Sequence, residues 1–419
     1  MNTPLLIDFS PSGDIIPPPS KSYGHRALIC GALAAAAIGR ESVISNAGPS
    51  EDIEVTRRAL PLFGAEASLS DDRMIVRPVN PDSRRIIDCG ESGSTLRFLL
   101  PLAAATLEGP IRFTGRGRLL ARPLTAYADV FAQSGVRFGH KENEVIIEGR
   151  LRGGDYRLPG NVSSQFVSGL LLALPLAEGD STIELTTHLE SAPYVDMTLE
   201  VMKDFGVKAK RMSDSVFSVP GSQNYRPADY QLEADYSQAA FFLAAAALGR
   251  PVRCLGLRPD SLQGDRAIVS YLERMGAEVT WSGDAVTVNC GGQLNAITVD
   301  VRETPDLVPV LAALMSLAKG ESRIVNAGRL RLKESDRLHS MATELAALGA
   351  KVAEEADSLV INGRASLPGG VAVEAHNDHR VAMALAVASL GCERPITIIV
   401  ADCVNKSYPA FWRDFGKAV

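Results

Sequence analysis

The sequence predicts an α/β protein of two globular domains, each made of three copies of one mixed unit whose buried helices are wrapped by small sheets. Three observations carry this. Glycine closes an Ala/Leu-rich segment six times, at Gly39, Gly109, Gly179, Gly249, Gly320 and Gly391, with spacings of 70 or 71 residues. It closes a second helical segment at Gly64, Gly135, Gly206, Gly276, Gly349 and Gly416, so two registers share one period. Each copy also reads as apolar helix, strand, amphipathic helix and short alternating strands. Glycine just past an apolar run is a C-cap signature, because it takes the left-handed conformation at little steric cost. Units of ~70 residues exceed the usual solenoid repeats and favour closed globules.

In chain order, an N-terminal strand at 5–9 is followed by the turn Pro17-Pro18-Pro19 and the capped helix start Ser20-Lys21-Ser22. The leading strands of the six copies fall at 42–46, 111–114, 181–185, 252–255, 322–326 and 396–399. Strands 67–69 with 74–77, and 145–147, exemplify the alternating pieces. The first helices are apolar nearly all round and belong inside; the second, at 51–63, 195–205, 265–275 and 337–348, are amphipathic and belong outside. Polar residues 221–229, rich in turn formers, mark a crossing between halves. If strand 5–9 pairs with the later half, the chain crosses again at 14–19. The expected domains are 1–16 with 228–419, and 17–227, with the active site in the cleft between them.

With 43 basic and 49 acidic residues the net charge is −6, and no aromatic-basic stripe occurs, which argues against nucleic acid. No segment has the length and apolarity of a membrane span, and the N-terminus does not read as a signal peptide. Six scattered cysteines without CxxC pairs suit free thiols in a reducing cytoplasm. A small anion remains a fitting ligand, because local cations rather than net charge set the field in a cleft.

Every inner helix opens on a polar cluster: Ser20-Lys21-Ser22, Glu91-Ser92-Gly93-Ser94, Asn161-Val162-Ser163-Ser164-Gln165, Asp235-Tyr236-Ser237-Gln238, Glu303-Thr304-Pro305-Asp306 and Asn377-Asp378-His379-Arg380. Asp235 and Ser237 read as plain N-caps. Lys21, Arg97, Gln165 and Arg380 exceed what caps need, and a cation at a helix N-terminus is unfavourable unless an anion joins it. Lys21, Ser22 and Arg26 are placed to converge on such an anion. Lys333 and Arg337 are expected to share a helix face beside Glu334. Arg122 and Lys406 are loop cations whose spacing alone says little. His376 and His379 lie three apart, but no HExxH or carboxylate pattern supports a metal.

Taken together, Pro18-Pro19-Ser20-Lys21-Ser22, Gly93-Ser94-Thr95-Leu96-Arg97, Ser163-Ser164-Gln165, Ser191-Ala192-Pro193-Tyr194, Leu332-Lys333-Glu334-Ser335-Asp336-Arg337, Asn377-Asp378-His379-Arg380 and Lys406-Ser407-Tyr408-Pro409 resemble the EPSP synthase family of enolpyruvyl transferases. The resemblance spans essentially the whole chain. It implies three βαβαββ units per domain, the inside-out α/β barrel type of this family. It also implies transfer of the enolpyruvyl group of phosphoenolpyruvate to the 5-hydroxyl of shikimate 3-phosphate, on the route to chorismate and aromatic amino acids. Shikimate 3-phosphate falls to Lys21, Ser22, Arg26, Ser163, Ser164, Gln165, Ser191, Tyr194, Asp306 and Lys333. Phosphoenolpyruvate falls to Lys21, Gly93, Arg122, Gln165, Arg337, Arg380 and Lys406. Asp306 is implied as base and Glu334 as proton donor, with Lys21 assisting.

No cofactor and no metal is expected, and the partners are these two anions, met by a cytoplasmic monomer whose domains stand open until the anions bridge them. Two departures stand out. Many members have Asn-Ala-Gly-Thr where this chain has Glu91-Ser92-Gly93-Ser94, which puts a carboxylate near the enolpyruvyl site and bears on the response to glyphosate, the herbicide that mimics phosphoenolpyruvate. Arg329 replaces an asparagine that some members use for the shikimate phosphate. The nearest alternative, UDP-N-acetylglucosamine enolpyruvyl transferase, usually carries a cysteine in the loop corresponding to 115–122, where this chain has none. A non-catalytic repeat scaffold would have no use for so many charges at helix starts.

Overall fold

A computed structural model describes residues 4–417. The chain divides into two units, Pro19–Leu232 and the discontinuous pair Met1–Pro18 with Glu233–Val419. Each has its own contiguous apolar core.

Within Pro19–Leu232 the middle repeat shows the plan. Strands Ile86–Asp88 and Ile111–Thr114 run parallel, with helix Gly93–Thr106 between them in sequence. Glu144–Glu148 then pairs antiparallel with Ile111–Thr114, and Arg137–Lys141 closes the sheet as its hairpin partner. The same four-stranded order recurs for Asp155–Leu158, Ser181–Leu185, Val216–Val219 and Lys210–Arg211. In the first repeat the leading strand comes from the far end of the unit: Asp229–Gln231 lies parallel to Ser42–Ser45.

The discontinuous unit is built alike. Gly13–Ile15 lies parallel to Val252–Cys254, Thr298–Asp300 to Glu321–Val325, and Ala372–Glu374 to Ile396–Ile399. Leu5–Ile7 adds antiparallel to Ile396–Ile399. The strand just before helix Lys21–Ile38 therefore belongs to the unit that does not hold that helix. The strand just before helix Tyr236–Ala247 likewise belongs to the other one. The chain crosses after Pro18 and after Leu232, not at 221–229. That polar stretch is tied down within Pro19–Leu232, because Tyr225 is fully buried and donates its hydroxyl to the Leu172 carbonyl at 2.9 Å.

The apolar helices are inside because they have no polar face to offer water. Every residue of Tyr236–Ala247 and Val308–Met315 is buried, as is Tyr23 through Ala35 of Lys21–Ile38. Small residues let these helices approach closely. A Cβ on Gly169 would lie 2.4 Å from the Arg97 carbonyl oxygen, so only glycine allows helix Ser164–Ala173 to seat against Gly93–Thr106. The periodic glycines serve two purposes. Gly39 is a left-handed C-cap with φ 73°, whereas Gly391 does not adopt positive φ. A Cβ there would meet the Leu317 side chain at 2.4 Å, so Gly391 is required by crowding rather than by a cap. Among the described residues no helix is long and apolar enough to cross a membrane.

Candidate active site

In Pro19–Leu232, polar residues gather at the starts of three inner helices. Ser20, Ser92 and Ser163 cap them by accepting from the N–H of Tyr23, Thr95 and Gln165. Capping leaves the adjoining side chains available for other contacts. Lys21 donates to Asp52 Oδ2 at 2.6 Å, both side chains being less than one-fifth exposed. Gln165 accepts from Arg97 Nη1 at 2.8 Å and donates to Ser94 Oγ at 3.0 Å. A Cβ on Gly93 would meet Arg97 Nη1 at 2.9 Å, Arg122 Nη1 at 3.1 Å and Gln165 Oε1 at 3.5 Å. Gly93, Arg97, Arg122 and Gln165 thus converge on one spot with two cations and no carboxylate among them. Burial, aided by the Arg122 charge, pulls the Arg97 guanidinium down to about 9, the response of a cation short of counter-charge.

Glu91, the residue that departs from the family pattern, lies against the loop instead, its carboxylate carbon 3.0 Å from where a Cβ on Gly117 would stand. Ser191 opens helix Ala192–Asp204 in the left-handed region at φ 58° and is buried; Tyr194 follows, half-buried. Arg26 lies one turn beyond Ser22 on the same helix. Its guanidinium turns into the core, donating to Thr198 Oγ1 (2.7 Å), the Ser22 carbonyl (2.7 Å), the Tyr194 carbonyl (2.8 Å) and Ser168 Oγ (3.2 Å), and lies over the Phe98 ring. Those neutral acceptors saturate most of its donors, and burial pulls it down to about 10.

In the discontinuous unit the centre is Asp306. The helix that follows it begins as a 3-10 turn, Pro305–Leu307, without a side-chain cap, so the Asp306 carboxylate is not spent on backbone N–H groups. It accepts from Arg337 Nη1 at 2.8 Å and Arg380 Nη2 at 3.0 Å, with Lys333 Nζ at 3.6 Å. Burial acts to raise its carboxyl, but Arg380, Lys333 and Arg337 outweigh burial and hold it well below the usual carboxylate range. Arg337 is 2 % exposed and also donates to Asp378 at 2.8 and 3.3 Å. Asp378, with no exposure, caps helix His379–Ser389 and accepts from Ser335 Oγ.

His379 Nδ1 donates to Glu334 Oε2 at 3.0 Å. Burial would raise Glu334, but His379, Arg337 and Lys406 keep it well below the ordinary range. Lys406 is buried at the end of a 3-10 turn and donates to the Asn377 carbonyl at 2.7 Å. Burial pushes Lys333 down to about 8 against the pull of Asp306, with Arg337, Arg329 and Arg380 adding to the depression. Lys333 and Glu334 are not on the helix of Arg337. They precede its start in non-helical backbone, so it is Asp306 that brings Lys333 and Arg337 together, not an i,i+4 face.

Sequence reasoning assigned no role to three residues that matter here. Asp52 looked like one of several acids in the first turn of an outer helix, and nothing local marks it as the partner of Lys21. Asp378 stood only within the polar cluster Asn377-Asp378-His379-Arg380. Asp265 accepts from Ser237 Oγ inside the core, and burial together with the Asp306 charge pushes it up to about 7. Glu334, Asp378 and His379 each offer an atom within 4.8 Å of the others, a spacing open to a metal, but Arg337 and the Glu334–His379 bond already balance the charge.

What this arrangement serves is clarified by its relatives. The family model for EPSP synthase (3-phosphoshikimate 1-carboxyvinyltransferase) matches residues 10–415. The 3-phosphoshikimate 1-carboxyvinyltransferase of Clostridium perfringens (strain 13 / Type A) is 45% identical over 408 residues, covering 96% of this chain and 95% of that protein. The one from Clostridioides difficile (strain 630) is 44% identical over 418 residues, covering 96% and 94%. Among solved structures, EPSP synthase from Acinetobacter baumannii superposes with a TM-score of 0.80 at 25% identity, covering 99% of this chain and 98% of that one. The enolpyruvyl transferase NikO from Streptomyces tendae shares the fold, with a TM-score of 0.80 at 21% identity, covering 99% and 97%. With a match running nearly end to end, this chain belongs to the EPSP synthase family.

Proposed function

We propose that this chain transfers the enolpyruvyl group of phosphoenolpyruvate to the 5-hydroxyl of shikimate 3-phosphate and releases phosphate by addition and elimination. Membership of the family carries the activity. The observation that supports the residue roles is a carboxylate, Asp306, ringed by Arg337, Arg380 and Lys333, with the Glu334–His379 pair beside Arg337. The addition needs a base on the attacking hydroxyl and an acid at the methylene carbon. Asp306 is the base in this reading. With Arg380, Lys333 and Arg337 all on it, its carboxyl is held well below the usual carboxylate range despite burial. Every anionic group that draws one of its three cations away returns basicity to it, so base strength rises as the substrates settle. Glu334 delivers the proton to carbon. Because it is itself ionised here, the proton comes across the Nδ1–H···Oε2 bond from His379 as the imidazolium, which is left as the neutral imidazole.

Lys21, Gly93, Arg122, Gln165, Arg337, Arg380 and Lys406 take phosphoenolpyruvate in this reading. Lys21, Ser22, Arg26, Ser163, Ser164, Gln165, Ser191, Tyr194, Asp306 and Lys333 take shikimate 3-phosphate. Both sets include residues of both units. A cation excess fits this cargo, since two close unit charges repel by about 4 kcal/mol at an effective dielectric near 20. We further infer a cytoplasmic monomer, in keeping with six cysteines that are all free. The deciding experiment mixes the purified protein with both substrates in the presence of chelator and follows phosphate. Release that depends on both substrates is expected. Release with UDP-N-acetylglucosamine in place of shikimate 3-phosphate, or none at all, would overturn the reading.

A further inference from the structure

Helix Glu51–Ala59 reads as an ordinary outer helix, yet two of its residues one turn apart face two residues one turn apart on Lys21–Ile38. Asp52 takes Lys21 at 2.6 Å, and Thr56 Oγ1 meets His25 Nδ1 at 2.8 Å. Thr56 Oγ1 also meets Thr95 Oγ1 at 2.6 Å, and Thr95 Oγ1 donates to Ser92 Oγ at 2.8 Å. Ser92 is the cap of helix Gly93–Thr106. A buried line of hydrogen bonds therefore ties three helices together, with His25, Thr56, Thr95 and Ser92 each 1 % exposed or less.

Counting hydrogens gives this line a direction. Each hydroxyl has one hydrogen to donate. That of Thr95 goes to Ser92, so the Thr56–Thr95 bond uses the hydrogen of Thr56. Thr56 then has none left for His25, and the His25–Thr56 bond must be donated by Nδ1. His25 is accordingly the neutral Nδ1–H tautomer, and its buried Nε2, which has no hydrogen-bond partner, is a bare lone pair rather than a stranded N–H. Burial agrees: it pulls the imidazole down to about 3, against Asp52 and with Lys21 and Arg26.

We propose that Thr56 is a positioning residue for enolpyruvyl transfer, which together with the Nδ1–H tautomer of His25 fixes Gly93 and Ser94 relative to Lys21. The proposal rests on the reading that Lys21 and Gly93 contact phosphoenolpyruvate. Valine matches threonine in shape but cannot bridge His25 and Thr95, while serine can.

The test uses the full chain. Nitrogen-15 NMR of histidine-labelled protein, with His25 assigned through a His25→Asn variant, should show one neutral ring protonated at Nδ1 and unchanged from roughly pH 5 to 8. Thr56→Val should raise the KM for phosphoenolpyruvate about tenfold with a smaller change in kcat, and Thr56→Ser should restore it. Thr56→Val combined with Thr95→Val should cost less than the two singles together. A charged ring or an Nε2–H ring overturns the chain of bonds, even if the valine variant fails to fold. A wild-type KM in Thr56→Val, or equal damage from valine and serine, overturns the positioning role. Gly93→Ala with an unchanged KM would instead overturn the underlying site reading.

Discussion

Replacing Asp378 by asparagine isolates one charge in the middle of the discontinuous unit. Asparagine keeps the shape and can still cap helix His379–Ser389 through its carbonyl oxygen. What disappears is the negative charge facing Arg337, a guanidinium that is 2 % exposed and, among the described residues, shared with Asp306 and, more distantly, Glu334. Charges roughly 4 Å apart at an effective dielectric near 20 attract by about 4 kcal/mol, and removing one partner of a buried pair costs about 3–5 kcal/mol. For a unit of this size each kcal/mol moves the melting temperature by about 2–4 °C, so Asp378→Asn should melt about 6–20 °C below wild type at neutral pH. The pH dependence fixes the sign. Despite burial, Arg337 holds the Asp378 carboxyl below its ordinary value, so its stabilisation is present above the unfolded carboxylate pKa and fades as pH falls through the folded one. The gap between variant and wild type should therefore close on acidification. Thermal unfolding followed by circular dichroism at several pH values makes the comparison. A gap under about 2 °C at neutral pH, or one that widens in acid, would refute the electrostatic account.

Asp306→Ala should lower kcat by about 10²–10⁴ while weakening phosphoenolpyruvate binding far less; calorimetry and steady-state rates showing the opposite split would remove Asp306 as base. Lys333, pushed down to about 8, is partly deprotonated in the free enzyme above that pH. Shikimate 3-phosphate should then take up a proton on binding near pH 8.5, read by calorimetry in two buffers of different ionisation heat; no uptake means Lys333 does not meet the ligand. Gly93→Ala places a Cβ 2.9 Å from Arg97 Nη1 and 3.1 Å from Arg122 Nη1. It should raise the KM for phosphoenolpyruvate by about tenfold or more and leave that for shikimate 3-phosphate nearly unchanged; equal effects on both would move Gly93 out of the enolpyruvyl site.

Features written locally were legible in the sequence. The 70-residue period exposes the six units, because caps and turns are decided by neighbouring residues: Ser20, Ser92, Ser163, Asp235 and Asp378 all cap the helices they precede. Features made by distant contacts were not. Arg26 shares a face with Ser22, but its destination is set by Thr198 and Ser168, which lie 172 and 142 residues away. Asp52 and Asp378 gain their importance only from the cation each meets after folding. Lys333 and Arg337 have helical spacing without helical backbone, since the helix starts at Arg337. Gly391 keeps the period and loses the cap, because the neighbouring Leu317 side chain leaves no room for a Cβ.

The exchanged strands also impose an order of events during synthesis. All that Pro19–Leu232 needs for its three sheets has been made once Leu232 leaves the ribosome. Leu5–Ile7 and Gly13–Ile15 are made first, yet their partners are Ile396–Ile399 and Val252–Cys254. At about 5–20 residues per second, the first of these strands waits ~20–80 s for its neighbour. Brevity keeps that wait safe: each is three residues long, too short to recruit a foreign edge. Strands made before Pro19–Leu232 are thus sewn into their own sheets only after that unit can already be finished.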